Sequence, residues 1–438
     1  MMPRKHSLSR RARERGVGLV ETMVGILIGT IVIIVVYNIL WVAENYKRTT
    51  LGSSDAQISG LLSQFVAGRD AGNGGAGITM SNGTAAVPSD MINCTMDETG
   101  AAASGLAITS LDAAMRPVPV LISDGGALGL SDSFISYNTG AAHVMWPVDF
   151  TATSLKTDPT LQVQSPNGFT VPLPSVTPYW VVMMNSIGNC RLLRVTNAVP
   201  DPTIPLTGRV TLTKDATMPA SVLDYTVALP ARLLSLGPVG LASRIRYDVN
   251  GVTGVLSTTD LLVTAALNPV PVAQNIVLMK VQYGIDDNED GIVDCWTPAD
   301  ASTCGNYAPA AVMAAPLSSK VGGVAVAGVT ALNKILAVRI GMVVRSDEAD
   351  LRLLTDPTNT ALQSESSGLL FGSRPAVVLF DCSTHNAACQ NRVQVPMGAG
   401  APVGAPTCAP SVICDYWRYR TYETVIPLRN ALFSATMP

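Results

Sequence analysis

The chain has 438 residues, 47% of them hydrophobic and 14% charged, enough apolar side chain for one large domain or two to three smaller ones, which excludes a small module. Its net charge of −3 hides an asymmetry: Arg4, Lys5, Arg10, Arg11, Arg13 and Arg15 against Glu14 make residues 1–16 +5, and taking +5 from −3 leaves −8 for the rest. So acidic a body lacks the positive surface that phosphate neutralisation needs, which argues against nucleic acid as a partner.

The basic stretch stops at Gly16, and an apolar run begins. Between 22 and 43 the only ionisable side chain is Tyr37. About 20 apolar residues in a helix cross a hydrocarbon core of about 30 Å, so 22–43 reads as a transmembrane helix. Six basic residues precede it and Glu44, Lys47 and Arg48 follow, so the positive-inside rule places the N-terminus in the cytoplasm and the body outside. The run is too long for an ordinary secretory signal, and no A-x-A-like cleavage site follows it.

Basic residues, Gly16, Val17 to Val20, Glu21 and then the helix resemble a type IV prepilin signal. The resemblance implies a membrane peptidase that cuts after Gly16 on the cytoplasmic side and methylates the new amino terminus, Val17. It also implies a role for Glu21. An ionised carboxylate at membrane depth costs about 2.5–3.5 kcal/mol on insertion scales and is normally paired or functional. In pilins its partner is the amino terminus of a neighbouring subunit; an acid snorkelling at the cytoplasmic interface is the bland alternative. Gly18, Thr22, Gly25 and Gly29 share one helix face with Glu21 at its edge, and Gly25 to Gly29 is a G-x-x-x-G that lets helices approach closely.

The helix is expected to continue beyond the membrane. After Gly-Ser-Ser-Asp at 52–55, Ile58, Leu61, Leu62, Phe65 and Val66 form an apolar stripe that should lie against a sheet, and the glycine-rich 71–77 should stop it. Residues 77–110 have no clear period and read as loop.

The remainder reads as short valine-rich strands: 118–122, 134–137, 179–184, 191–196, 241–248, 252–256, 276–283, 335–345, 376–380 and 419–426. Asn250-Gly251 is the signature of a type I′ hairpin. The fold class is therefore α+β, a long N-terminal helix packed on a large, mainly antiparallel β domain. Its parts are a leader, 1–16; the helix, 17–70; and the β-rich body, 71–438.

The cysteines are Cys94, Cys190, Cys295, Cys304, Cys382, Cys389, Cys408 and Cys414, an even set whose last six fall into three sequence-local couples. That pattern suggests disulfides formed in an oxidising compartment, buried thiols being the alternative. Zinc is disfavoured: no C-x-x-C occurs, and His6, His143 and His385 are the only imidazoles.

Residues 286–294, DDNEDGIVD, offer a different metal chemistry. Asp286, Asn288, Asp290 and Asp294 place oxygens around Gly291, and Ile292 could add its carbonyl, in the manner of a calcium loop. Thr297 stands where an EF-hand has glutamate, so Ca²⁺ is expected only in a truncated version of that site. In 416–423 Arg418 and Arg420 alternate with aromatics, which fits a half-exposed strand better than base stacking. No nucleophile elbow, H-E-x-x-H or phosphate-binding glycine loop occurs, so the expectation is not an enzyme.

Five segments occur in order: RGVGLVETMVGILIGT, AQISGLLSQFVAGRDAGNGG, NIVLMKVQYGIDDNEDGIVD, ILAVRIGMVVRS and YRTYETVIPLRN. Together they resemble the PilW family of minor type IV pilins. The resemblance implies a low-abundance pilin that helps initiate assembly near the fibre tip. Its partners would be the prepilin peptidase/N-methyltransferase, other minor pilins and the major pilin, and it would sit in the inner membrane before assembly and in the extracellular pilus afterwards. A pseudopilin of a type II secretion system, or a tip-displayed adhesin or ligand-binding module, would share these features.

Overall fold

The computed structural model describes residues 18–75, 95–96, 119–125, 130–138, 147–154, 157–169, 178–184, 189–200, 208–216, 229–239, 243–251, 253–262, 268–288, 290–297, 334–347, 369–370, 376–380, 393–396, 407–409, 412–413 and 419–428. They belong to two compact units, Met1–Leu51 and Gly52–Pro438. A single helix, α1, spans Leu19–Asn73. It holds no proline, so the glycine and serines at 52–55 pass through it without a break.

In the first unit every residue from 18 to 43 is exposed, and the helix is long and apolar enough to cross a membrane. Thr22 and Thr30 donate their hydroxyls to the carbonyls of Leu19 and Ile26 at 2.8 and 2.7 Å. Both polar groups are thereby satisfied within the helix, as a hydrocarbon surrounding requires.

The strands of the second unit are β1 (Val120–Ser123), β2 (Ser133–Asn138), β3 (Thr160–Val163), β4 (Tyr179–Met184), β5 (Asn189–Pro200), β6 (Val210–Lys214), β7 (Arg232–Pro238), β8 (Ser243–Asn250), β9 (Val255–Asp260), β10 (Val270–Ala273), β11 (Ile276–Ile285), β12 (Cys295–Thr297), β13 (Ile335–Arg345) and β14 (Tyr419–Pro427). One sheet has the order Val148–Asp149, β7, β4, β5, β6, β3, with Thr95–Met96 added in parallel to β5. A second runs β10, β9, β8, β2, β1, and a third β12, β11, β13, β14, Leu369–Leu370. Two further pairs join Ala376–Leu379 to Val393–Pro396 and Thr407–Ala409 to Val412–Ile413. Apart from Thr95–Met96, every pairing among these strands is antiparallel, which gives the α+β class its mainly antiparallel body.

The physical logic differs between sheets. In β6 burial alternates, so one face meets the core and the other solvent. Strands β11 and β13 are buried on both faces almost throughout, which is why their sequences are near-continuous apolar runs. Where β13 must bury a cation it is held on every side. Arg339 donates Nε to Gln282 Oε1 across the ladder at 2.8 Å, and its guanidinium lies over the rings of Phe380 and Trp296 at 4.3 and 5.0 Å. Burial lowers that guanidinium to about 10.

Two expectations are corrected. The stripe Ile58, Leu61, Leu62, Phe65 does not lie against a sheet: these side chains are 61, 51, 45 and 67% exposed, and of the five only Val66 packs on the core. The buried face carries Gly52, Ala56, Gly60, Ser63, Ala67, Asp70 and Ala71. Small residues were needed because the sheets come so close. The Tyr422 ring of β14 occupies the space a Cβ at Gly60 would take, and Ile426 packs on Gly68 and Gly72. Hydrogen bonds finish the contact: Tyr247 Oη donates to Asp70 Oδ2 at 2.5 Å and Ser136 Oγ to the Asp70 carbonyl at 2.7 Å. Burial pushes the Tyr247 hydroxyl well above its ordinary value, which keeps it a donor. The helix then ends at Asn73, with Gly75 N donating to the Tyr137 carbonyl at 3.0 Å, within the glycine-rich stretch that should stop it.

The second correction concerns Asn250-Gly251. Asn250 pairs with Val255, so the β8–β9 connection holds four residues and is not a two-residue type I′ turn. Asn250 Oδ1 accepts Thr253 N at 3.1 Å, and Gly254, at φ 67°, takes the left-handed conformation that closes the loop.

Candidate assembly site

Glu21 sits in the first turn of α1 and is exposed among exposed apolar side chains. It makes no hydrogen bond or ion pair among the described residues. Gly25 and Gly29 follow at i+4 and i+8, and a Cβ built at Gly18, Gly25 or Gly29 meets no other atom within 4 Å. One face of the first unit's helix thus combines an acid with no partner among the described residues and an open, small-residue surface. Further along, Arg48 Nε meets Glu44 Oε1 at 3.0 Å. The expected cleavage residues Gly16 and Val17 lie outside the described residues.

The acidic loop joins β11 to β12, with Glu289 outside the described residues. Asp286 accepts the amides of Asp290 and Gly291 on Oδ1 and Oδ2 at 3.1 and 2.8 Å. Asp294 Oδ2 accepts those of Asp287 and Asn288 at 2.8 and 3.2 Å, and Asp290 Oδ1 that of Ile292 at 2.8 Å. Asn288 Oδ1 accepts Asp290 N at 3.0 Å, while its Nδ2 donates to Asp290 Oδ2 at 3.1 Å. Gly291, at φ 87°, makes the turn that brings these groups together. The four predicted oxygen donors are therefore juxtaposed, each already serving the loop's own amides. Among the described residues no group of three or more His, Cys, Asp or Glu side chains is disposed to hold a metal ion. Lys334 adds an ion pair with Asp287 at 3.7 Å and, from the same ammonium, a hydrogen bond to the Asp287 carbonyl at 2.5 Å.

Cys295 closes this loop. It is 7% exposed and disulfide-bonded. The strands carry Cys190 and Cys408 as well, whereas Cys94, Cys304, Cys382, Cys389 and Cys414 lie outside the described residues.

Arg420 has a structural task in β14. Its guanidinium donates to Ser53 Oγ at 2.6 Å and Gln57 Oε1 at 3.4 Å, tying the strand to the helix. Sequence reasoning missed this docking surface because its signal is a run of small residues, Gly52, Ala56, Gly60, Ser63, Ala67 and Ala71, which an apolar-stripe search passes over.

No curated protein and no solved structure matches the chain. A family model, PilW, described as type IV pilus-assembly protein W, matches residues 245–430, the stretch that runs from β8 to β14. Over those residues, fewer than half of the chain, the sequence is similar to that pilus-assembly family.

Proposed function

We propose that this protein is a minor type IV pilin that helps initiate fibre assembly and stays at or near the tip. The observation that carries the reading is Glu21, an acid with no partner among the described residues, at the start of the exposed apolar stretch 18–43. In a bilayer such a carboxylate is costly until a cation meets it. The cation we assign is the amino terminus at Val17 of an adjoining subunit, freed by cleavage after Gly16, with Gly25 and Gly29 admitting the neighbouring helix. On this reading the leader is cytoplasmic and the body lies outside the membrane, where the remaining cysteines form disulfides. The PilW match supports a pilus over a secretion pseudopilus.

Mass spectrometry of the protein from cells holding the processing peptidase should find a chain that begins at methylated Val17. Glu21→Ala should then enter fibres about tenfold less often, the equivalent of ~1.4 kcal/mol. An intact Met1, or undiminished incorporation of Glu21→Ala, would overturn the proposal.

Calcium at 286–294 is a separate proposal. The ion would draw Asp286, Asn288, Asp290, Asp294 and the Ile292 carbonyl toward itself in competition with the amides they now serve, and calorimetric titration tests it.

A further inference from the structure

Lys280 stands in the middle of β11, within the apolar run Ile-Val-Leu-Met-Lys-Val, and its side chain is only 7% exposed. Its ammonium lies 2.7 Å from Asp132 Oδ1, and Asp132 is 2% exposed. A second acid, Asp124, approaches the same nitrogen at 3.6 Å with 18% exposure. The two acids come from the turn between β1 and β2, which is pinned to β11 by the bond from Asp132 N to the Met279 carbonyl at 2.8 Å and by Ser131 Oγ accepting Met279 N at 3.1 Å.

The Asp132 carboxyl is also gripped by two amides. Gly125 N donates to Oδ1 at 3.0 Å and Val281 N to Oδ2 at 2.8 Å. Lysine, carboxyl and amides are thus fixed by strands and a turn, which is the positioning that raises the rate of a reaction between two groups of one molecule. The Val281 N–H on Oδ2 is placed to meet the charge that a tetrahedral intermediate would develop on that oxygen.

We propose that Lys280 and Asp132 join in an intramolecular amide, formed by the protein itself with Asp124 as the proton carrier. Asp124 takes one proton from the Lys280 ammonium and leaves a neutral amine. Its Nζ lone pair attacks Cγ, a second proton passes from that nitrogen to Asp132 Oδ1 as the N–C bond forms, and the negative charge that develops on Oδ2 is met by the Val281 N–H. Asp124 returns its proton to Oδ1, the Cγ–Oδ1 bond breaks, and water leaves. The ammonium's three hydrogens are accounted for, one on the amide and two in the water, and nothing is oxidised or reduced. Burial supports the first steps, since it pushes the Asp132 carboxyl up to about 6 against the pull of Lys280. The product removes two opposite charges from the interior, where each is expensive to hold. It ties the sheet of β1 and β2 covalently to that of β11.

The test is tandem mass spectrometry on the full-length protein, extracted in detergent, reduced and digested with trypsin. The expected result is a branched peptide that joins the Asp132 and Lys280 segments, one water lighter than the two apart, with no cleavage after Lys280. Recovery of Lys280 wholly in linear, cleaved peptides from folded protein overturns the proposal. Asp124→Asn should keep the ion pair and sharply reduce the branched product; an undiminished yield would remove Asp124 from the mechanism. Because the unmutated protein gives the primary readout, poor folding of any variant leaves the test decisive.

Discussion

Gly60→Ala is the change that most directly tests how the helix meets the sheets. In an open helix this substitution stabilises by about 1 kcal/mol, because glycine loses more backbone freedom on folding. Here the added Cβ would stand 2.5 Å from Cδ2 and Cζ of Tyr422, where carbon–carbon contacts are optimal at about 3.5–4.0 Å. Tyr422 is packed against the core from β14, so the ring or the helix must shift, and overpacking of this kind costs about 1–3 kcal/mol. The net expectation is a loss of about 1 kcal/mol. In a Tyr422→Ala background the obstruction is gone, and the same Gly60→Ala should stabilise by about 1 kcal/mol. The two signs are read from urea unfolding of the four proteins in detergent, followed by circular dichroism at matched m-values. Stabilisation of the parent, or the same sign in both backgrounds, would refute the close approach of helix and sheet.

Tyr247→Phe should cost about 1–3 kcal/mol in the same assay, because it strips the buried Asp70 carboxylate of the donor at 2.5 Å. Asp260 gives a pH signature: burial raises its carboxyl above the ordinary value, so the native state binds the proton more tightly than the unfolded one. Its contribution to stability is full below the unfolded value of about 4 and is lost as pH rises through the higher folded value. Asp260→Asn should flatten that part of the pH–Tm profile, and an unchanged profile would contradict the assignment. For the acidic loop, calcium binding predicts a Tm that rises with Ca²⁺ and an Asp290→Ala protein that no longer responds; a Tm indifferent to Ca²⁺ rejects the ion.

The parts of this fold that the sequence made legible are those whose burial is simple. β4 and β13 were predicted end to end because each is an apolar run with few polar interruptions, and α1 because nothing in it breaks a helix. β3, β6, β7, β10 and β12 are not legible in this way: Thr-Leu-Gln-Val and Val-Thr-Leu-Thr-Lys, for example, are short, and their pairing depends on partners far along the chain. Hydrophobicity points to the wrong face of the helix, because here closeness requires small side chains and the large apolar ones stay outside. At the candidate site the opposite held. Glu21 announces itself against its surroundings, and the acidic loop by its spacing, but the Lys280 cluster needs Asp124 and Asp132 from a turn far away in sequence, which only the pairing of β2 with β8 and the docking on β11 bring near.

That inverted helix face has a consequence for tolerance to mutation. Ile58, Leu61 and Phe65 support little of the chain's own architecture, so replacing them with serine or glutamine should change the unfolding free energy by no more than about 0.5 kcal/mol, as for ordinary surface positions. A truncated body beginning at Gly52 would carry the same greasy strip into buffer, and its stickiness on a sizing column should vanish with those polar replacements while its fold stays intact.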